Sequence, residues 1–197
     1  MSRAHKTLCF HMLYNEMKKK ISPKNLGYMG STPGNRNSNT WFTPPEWIDR
    51  CRKVMGTIDL DPFSSSDANK IVQATQFFTE DDDALVQTWT GPNVFMNPPY
   101  GVGIFKSACL KFLEQWHLKH FEQAIVLINN CTETISFQAI AKECSAMCLV
   151  NKRIVFYSTD GKPSVGNTRG QVFIYYGLNV GKFKEEFEDA GIILSPV

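Results

Sequence analysis

The segment Asn97-Pro98-Pro99-Tyr100 combines groups that together can hold a flat ligand bearing N–H bonds. Each proline fixes φ and removes a backbone N–H donor, so nearby carbonyls stay free to accept hydrogen bonds. The side chain of Asn97 adds another carbonyl acceptor, and Tyr100 adds an aromatic face on which a planar ring can stack. The segment therefore predicts a site with two converging acceptors beside a stacking platform.

Two acceptors beside an aromatic face suit an exocyclic amino group on a planar ring, such as N6 of adenine. Asn97 Oδ1 and the Pro98 carbonyl would hold its two N–H bonds while the ring stacks on Tyr100. Such a nitrogen is a poor nucleophile because its lone pair is delocalised. Acceptor hydrogen bonds favour a more tetrahedral nitrogen, and alignment with a methyl donor contributes by proximity. We therefore predict that Asn97, Pro98, Pro99 and Tyr100 are catalytic, with no strong base needed before transfer.

Two loops at predicted strand ends are in position to form one site. The catalytic segment follows a predicted strand at 93–96 and precedes the clearest amphipathic helix, at 102–119. The other loop, Asp59-Leu60-Asp61-Pro62, ends a predicted strand at 57–62. In open α/β sheets, ligands bind beyond the carboxyl ends of the strands. We therefore expect the two loops to lie side by side.

Strands that alternate with helices predict an α/β fold built on a mostly parallel sheet, with a late antiparallel hairpin. Thr43 is predicted to cap a helix whose first residue is Pro44 and whose end is marked by Gly56. The hairpin is predicted to pair residues 153–158 with residues 172–176. The other predicted strands are 124–129 and 147–150, and the other predicted helices are 84–89, 134–143 and 182–190.

Length and composition indicate one globular domain. The chain has 197 residues, enough for one sizeable core and too few for two ordinary domains. No apolar run approaches the roughly 20 residues of a membrane helix, and the first residues lack a signal-peptide pattern. We therefore expect a cytoplasmic protein with no membrane partner. The six cysteines contain no CxxC pair, so we interpret them mostly as reduced core thiols and expect no metal site.

Charge is unevenly distributed along the chain. The net charge is only +2, yet residues 1–24 carry six basic residues against one acidic residue. Residues 25–40 are rich in Gly, Ser, Asn and Pro, as linkers are. We predict a basic N-terminal arm and linker over residues 1–37 and a catalytic domain over residues 38–197. A basic arm beside an acidic body is typical of nucleic-acid contact; a solvated tail is the alternative.

Several motifs, in this order, resemble those of the phage-type Dam family of DNA N6-adenine methyltransferases. The resemblance implies a compact Rossmann-like fold and S-adenosylmethionine as the methyl donor. It also implies double-stranded DNA as the partner, with the target adenine flipped out of the helix. The setting it implies is a bacterial or phage-infected cell, with a role in phage or prophage biology or in restriction–modification. The motifs lie at 40–46, 59–62, 78–85, 89–91, 97–101 and 152–156.

The same resemblance implies where the cofactor lies. The segment Thr43-Pro44 matches residues near its methionine end, and an acidic residue near Asp83 would hold its ribose or adenine. The loop after the first strand departs from the wider methyltransferase pattern, because it has Phe63-Ser64-Ser65-Ser66 in place of glycines. The implied cofactor-binding residues are Phe42, Thr43, Pro44, Asp59, Asp61, Pro62, Ser64 and Asp83.

Basic residues cluster around the predicted hairpin, where they could contact DNA phosphates. They are Lys152, Arg153, Lys162 and Arg169; ordinary surface charge is the alternative reading.

Three other functions remain open. A carboxamide nitrogen also carries two N–H bonds, so the substrate could be a protein glutamine. Amino groups of RNA are a further possibility. A DNA-binding relative that keeps the fold and lacks the activity is the non-enzymatic alternative. The oligomeric state and the target sequence cannot be read from the chain.

Overall fold

The computed structural model describes residues 41–101, 103–158, 162–163 and 167–196. The predicted arm and linker over residues 1–37 therefore lie outside the described residues. The described part forms helices α1 (Pro45–Met55), α2 (Ser66–Val72), α3 (Ile104–His117), α4 (Ile135–Ala141) and α5 (Val180–Phe187). Its strands are β1 (Leu60–Asp61), β2 (Gln76–Phe77), β3 (Asn93–Met96), β4 (Gln123–Asn129), β5 (Ala146–Val150), β6 (Gln171–Tyr176) and β7 (Gly191–Leu194).

All seven strands belong to one sheet with the order β2-β1-β3-β4-β6-β5-β7. Strands β1 to β4 pair in parallel. Strand β6 is antiparallel to both β4 and β5, and β7 is antiparallel to β5. Five strands therefore run in one direction, and only β6 and β7 run in the other. The predicted α/β fold, with a mostly parallel sheet and antiparallel C-terminal strands, is confirmed.

The sheet lies between two layers of helices. Residues of β4 alternate between the two layers: Ile125 and Leu127 pack with α1, α2 and α5, whereas Val126 and Ile128 pack with α3 and α4. A strand buried on both faces reads as a continuous apolar run, as the sequence of β4 does. None of the helices in the described part is long and apolar enough to span a membrane.

Helix α1 begins one residue later than predicted. Its apolar stripe, which includes Trp47, Ile48 and Cys51, is buried as the spacing indicates. Its N-cap is Pro44, no side chain caps it, and Pro45 is its first residue. The prediction that Thr43 caps this helix is therefore wrong. Because the Thr43 hydroxyl is not used as a cap, it can bond elsewhere.

The predicted antiparallel partner of β6 is also wrong. Residues 153–158 form no strand beyond isolated bridges of Tyr157 with Phe42 and Pro163. Strand β6 has no free edge for them, because β4 and β5 occupy its two sides. Residues 153–158 still alternate in burial, with Ile154 and Phe156 buried and Val155 exposed, which explains the strand-like pattern.

Three shorter segments also differ from the prediction. Residues 84–89 contain a turn, not a helix; the indole N–H of Trp89 donates to the carbonyl of Ala84. Strands β2 and β7 were not predicted from the sequence. Strand β2 has only two residues, and none of the four residues of β7 is fully buried, so neither shows a clear alternation of apolar and polar residues.

The chain order places a crevice between β1 and β3. From β1 the chain passes through α2 to β2 on one side of the sheet, and it then crosses to β3 on the other side of β1. Ligands of open α/β sheets bind at such a switch point. The connecting unit is small, since α2 has 7 residues and β2 has 2. Because this unit is small, few residues separate the loop at Asp59–Pro62 from Asn97 along the chain.

Two glycines with positive φ allow a matched test of packing around β6. A Cβ on Gly177 (φ +147°) would come within 2.8 Å of the Gln123 Cβ, whereas a Cβ on Gly56 (φ +88°) would meet nothing within 4 Å. We expect Gly177→Ala to lower the free energy of unfolding by about 2 kcal/mol or more, through strain and overlap. Gly56→Ala should lower it by only about 1 kcal/mol. Urea unfolding measures both, and equal losses would contradict the close approach.

Candidate active site

The carboxyl ends of three neighbouring strands bring polar side chains to one edge of the sheet. Asp61 is the last residue of β1, Asn97 directly follows β3, and Asn129 is the last residue of β4. Because β1, β3 and β4 are adjacent and parallel, these ends lie next to each other. The edge therefore contains an acid and two amides, with the Asn97–Tyr100 segment, predicted to be catalytic, between the ends of β1 and β4.

The side chain of Asn97 is held by Thr43. Its Nδ2 donates a hydrogen bond to Thr43 Oγ1 over 3.2 Å, and Thr43 is only 4% exposed. No described residue donates a hydrogen bond to Asn97 Oδ1. A fixed Nδ2 determines the orientation of the whole amide, so Oδ1 remains available as an acceptor. Thr43 is two residues before Pro45, so the segment that leads into α1 holds the Asn97 side chain.

Tyr100 presents a supported aromatic ring. The ring stacks on Phe105 of α3, with centroids 5.5 Å apart and planes inclined by 20°. The residue is 42% exposed, so part of the ring surface is open to a ligand. Burial of the hydroxyl end raises the pKa of Tyr100 well above its usual range, although a hydrogen bond with the Asn129 backbone acts in the opposite direction. The phenol therefore stays neutral, and its ring can serve as a stacking surface.

Asp61 is a buried carboxyl at the switch point. It is 3% exposed, and burial raises its pKa from 3.8 to about 7. The nearby Ser64 hydroxyl and the backbone N–H of Phe63, which donates to Asp61 Oδ1 over 3.3 Å, act in the opposite direction. Ser64 Oγ is also buried, yet it lacks a well-formed hydrogen bond in the described part of the chain. Burial without full compensation is costly, so both groups are suited to bind a polar ligand.

Other predicted cofactor residues lie close to these in the chain and are mostly buried. Pro44 and Pro62 are buried beside Thr43 and Asp61, respectively. Phe42 is 7% exposed, and its backbone exchanges two hydrogen bonds with Tyr157. These contacts hold the segment before α1 in place.

Two predicted cofactor-binding residues, Asp59 and Asp83, do not lie beside Asp61 and Thr43. Asp59 precedes β1, and its carboxylate accepts hydrogen bonds from the backbone N–H of Asn93 and from the Thr57 hydroxyl. Asn93 begins β3, so this carboxylate lies toward the amino ends of the strands. Asp83 lies beyond β2, and its Oδ1 accepts from Leu85 N over 3.1 Å within its own turn. Both carboxylates are therefore engaged in hydrogen bonds that stabilise the local backbone.

Among the predicted DNA-binding residues, two arginines converge on one loop residue. Arg153 Nη1 donates to the carbonyl of Asn167, and Arg169 N donates to Asn167 Oδ1. Lys152 lies over the ring of Trp47, 5.8 Å from its centroid. Lys162 is exposed, and its carbonyl accepts a hydrogen bond from Ser158 N. All four follow β5 or precede β6, so they belong to the same edge as Asn97.

Sequence analysis missed a network of hydrogen-bonded amide side chains at the ends of β4 and β6. Gln171, which is 1% exposed, donates through Nε2 to Asn129 Oδ1 and accepts through Oε1 from Asn167 Nδ2. The network connects β4 and β6 to the loop that carries Arg169. Two sequence signals could have indicated this network. Asn129 is a polar residue at the end of a predicted buried strand, and Gln171 is a polar residue directly before a predicted apolar strand.

No group of three or more His, Cys, Asp or Glu side chains within the described ranges is arranged to hold a metal ion. The five described cysteines are free, and four of them are buried. The burial of these four agrees with their interpretation as core thiols, and their reduced state stays a prediction.

The raised pKa of Asp61 predicts a specific pH dependence of stability. Between about pH 4 and pH 7, Asp61 keeps its proton in the folded protein and loses it in the unfolded chain. The contribution of this protonation to the free energy of unfolding is therefore complete below about pH 4 and is lost as the pH rises to about 7. Asp61→Asn cannot titrate. We therefore expect wild type to lose unfolding free energy relative to Asp61→Asn between about pH 5 and about pH 8. Urea unfolding at both values measures this, and a constant difference would mean an unshifted pKa.

Comparison with known proteins agrees with this geometry. No curated protein matches the chain. A family model described as "DNA N-6-adenine-methyltransferase (Dam)" matches residues 30–187. That span includes Thr43, Asp61, the Asn97–Tyr100 segment and Arg169. The chain therefore belongs to the Dam family of DNA N-6-adenine-methyltransferases.

Proposed function

We propose that this protein is a site-specific DNA adenine N6-methyltransferase. It transfers a methyl group from S-adenosylmethionine to N6 of an adenine flipped out of double-stranded DNA. It would act in the cytoplasm of a bacterial or phage-infected cell. The observation that carries the proposal is the Asn97 amide, which is fixed by Thr43 through Nδ2 and has Oδ1 free beside the supported Tyr100 ring. Family membership favours DNA over protein glutamine or RNA as the substrate.

The residues at the switch point fit S-adenosylmethionine. This cofactor carries positive charges on its sulfonium and ammonium groups, and Asp61 is a buried acid that a cation would ionise. Ser64 Oγ is buried close to this carboxyl, without a well-formed hydrogen bond to any described residue. Asp61, Ser64 and the segment Phe42-Thr43-Pro44 would therefore hold the cofactor between β1 and β3. When bound, S-adenosylmethionine supplies a methyl group attached to a sulfonium leaving group.

The catalytic segment activates the acceptor nitrogen by holding its protons. Asn97 Oδ1 and the Pro98 carbonyl accept the two N–H bonds of adenine N6, while the ring stacks on Tyr100. With both N–H bonds held in this way, the nitrogen lone pair would be left for the methyl group that the bound cofactor would supply, with the cofactor's thioether as the leaving group. The methylated N6 would then lose one proton to solvent. Because Thr43 and Phe105 already fix Asn97 and Tyr100, little reorganisation is required during the reaction.

The basic residues at the same edge would hold the DNA. Arg153, Lys162 and Arg169 are exposed there, and phosphate contacts from such residues position a duplex without reading its sequence. Flipping an adenine costs a few kcal/mol, which stacking on Tyr100 and two hydrogen bonds would partly offset.

A label-transfer assay tests the substrate class. Tritiated S-adenosylmethionine is incubated with unmethylated DNA, RNA or protein, and the labelled product is identified. We expect N6-methyladenine from DNA. Label in RNA or in glutamine would replace the proposed substrate. Cofactor and DNA binding without any transfer would identify a catalytically silent relative.

Asn97→Ala should lower kcat by at least about a hundredfold, because the main acceptor for N6 is lost. The fold and the dissociation constant for S-adenosylmethionine should change little. Single-turnover methylation, circular dichroism and calorimetry measure the three quantities. A fully active Asn97→Ala variant would refute the assignment.

Thr43 provides a graded test of how the amide is oriented. Thr43→Val removes the acceptor for Asn97 Nδ2, so the amide can rotate, and we expect kcat to fall by roughly tenfold or more. Thr43→Ser keeps the hydroxyl and should retain most of the activity. Steady-state kinetics separate this effect on kcat from an effect on the KM for the cofactor. Equal kcat values for the two variants would show that the hydroxyl does not orient Asn97.

A further inference from the structure

We propose that a cavity beside the catalytic segment binds the phosphodiester next to the flipped adenine, with Lys106 and Arg169 as its phosphate contacts. The inference rests on the proposed function, since it specifies how the same site holds the DNA strand that it modifies. It adds Lys106 and Asn129 to the DNA-binding residues and gives Arg169 a defined position.

The cavity has a volume of about 330 Å³, at the lower end of the roughly 300–1,000 Å³ typical of ligand pockets. It lies between the segment that follows β3, the first turn of α3 and the end of β4. Tyr100 and Phe105 form an aromatic wall, and Lys106, Asn129 and Arg169 contribute polar groups.

The cavity carries positive charge that nearby acids do not neutralise. No Asp or Glu lines it, and neither Lys106 nor Arg169 forms an ion pair with any carboxylate of the described residues. Nη1 of Arg169 donates to Cys131 Sγ over 3.4 Å, which leaves its other N–H groups for a ligand. Two cations in a concave site concentrate a field that attracts anions.

The loop that carries Arg169 is fixed by hydrogen bonds to buried amide side chains at the ends of β4 and β6. Arg169 N donates to Asn167 Oδ1, Asn167 Nδ2 donates to Gln171 Oε1, and Gln171 Nε2 donates to Asn129 Oδ1. Because Asn129 Oδ1 is engaged, its Nδ2 is the group left for a ligand. The buried network therefore positions one cation and one neutral donor around the same cavity.

The location identifies the anion as a backbone phosphate. Tyr100 forms one wall of the cavity and is also the proposed stacking partner of adenine. A nucleotide stacked on Tyr100 is joined to phosphates on either side, so one of them must lie beside that ring. Phosphodiester oxygens accept hydrogen bonds from Lys, Arg and Asn side chains. The cavity thus supplies the partners that the flipped nucleotide requires.

The first experiment measures how DNA affinity depends on salt for Lys106→Gln, Arg169→Gln and the control Lys119→Gln. Lys119 is exposed just beyond the far end of α3. We expect the slope of log K against log salt to fall by about 0.9 for each of the first two variants and to stay unchanged for the control. Circular dichroism verifies folding. Unchanged slopes for Lys106→Gln and Arg169→Gln would overturn the proposal.

The second experiment removes the charge from the DNA and leaves the protein intact. The methylated site is mapped in plasmid DNA, and duplexes carrying one neutral methylphosphonate at successive positions around the target adenine are prepared. We expect wild type to lose affinity on the order of tenfold when the phosphate adjacent to that adenine is neutral. The double variant Lys106→Gln/Arg169→Gln, which lacks both proposed phosphate contacts, should bind that duplex and the natural one with nearly equal affinity. Uniform sensitivity at every position would overturn the proposal.

The two experiments separate this inference from the proposed function. Methylation of DNA with no effect of Lys106 or of the adjacent phosphate would refute the cavity assignment alone. Reduced salt slopes without methylation of any DNA would support the anion site and refute the enzymatic function. A chain that does not bind DNA at all would refute both.

Discussion

The site depends on the parallel pairing of β3 with both of its neighbours. Strand β3 is buried along its whole length and hydrogen-bonds to β1 on one side and to β4 on the other. Parallel strands present their carboxyl ends at the same edge of a sheet. The backbone pairing of the strands by itself therefore places Asn97 between the ends of β1 and β4. Without this pairing, the acid, the amide and the aromatic ring would have no common location.

The Asn97–Tyr100 segment is held by both helical layers. Thr43 precedes α1, which packs on one face of the sheet, whereas Phe105 belongs to α3 on the opposite face. Asn97 is bonded to the first and Tyr100 stacks on the second. The prolines between them restrict the backbone. An amide and a ring held by separate layers can thus meet a ligand with little loss of conformational freedom.

Charge differs between the two sides of the Asn97–Tyr100 segment. Toward β1 lies Asp61, a buried acid whose ionised form would be stabilised by a cation. Toward β4 and β6 lie Lys106 and Arg169, which line a cavity free of acids. A cation and an anion would therefore be attracted to opposite sides of the segment. Under the proposed function, the cationic methyl donor and the anionic DNA would not compete for one pocket.

The sequence alone determined the class of fold and predicted the Asn97–Tyr100 segment as the site of chemistry. Local residue types and short-range periodicity identified this segment, the long helix α3 and the buried strand β4, because prolines, aromatic residues and apolar repeats act through their immediate neighbours. Tertiary structure decided which distant groups meet. It replaced the predicted cap at Thr43 by a bond to Asn97, paired β6 with β5 instead of residues 153–158, and directed Asp59 toward the other end of the strands. These outcomes depend on which edges and donors remain free once the sheet has formed, and the spacing of residues along the chain does not encode that competition.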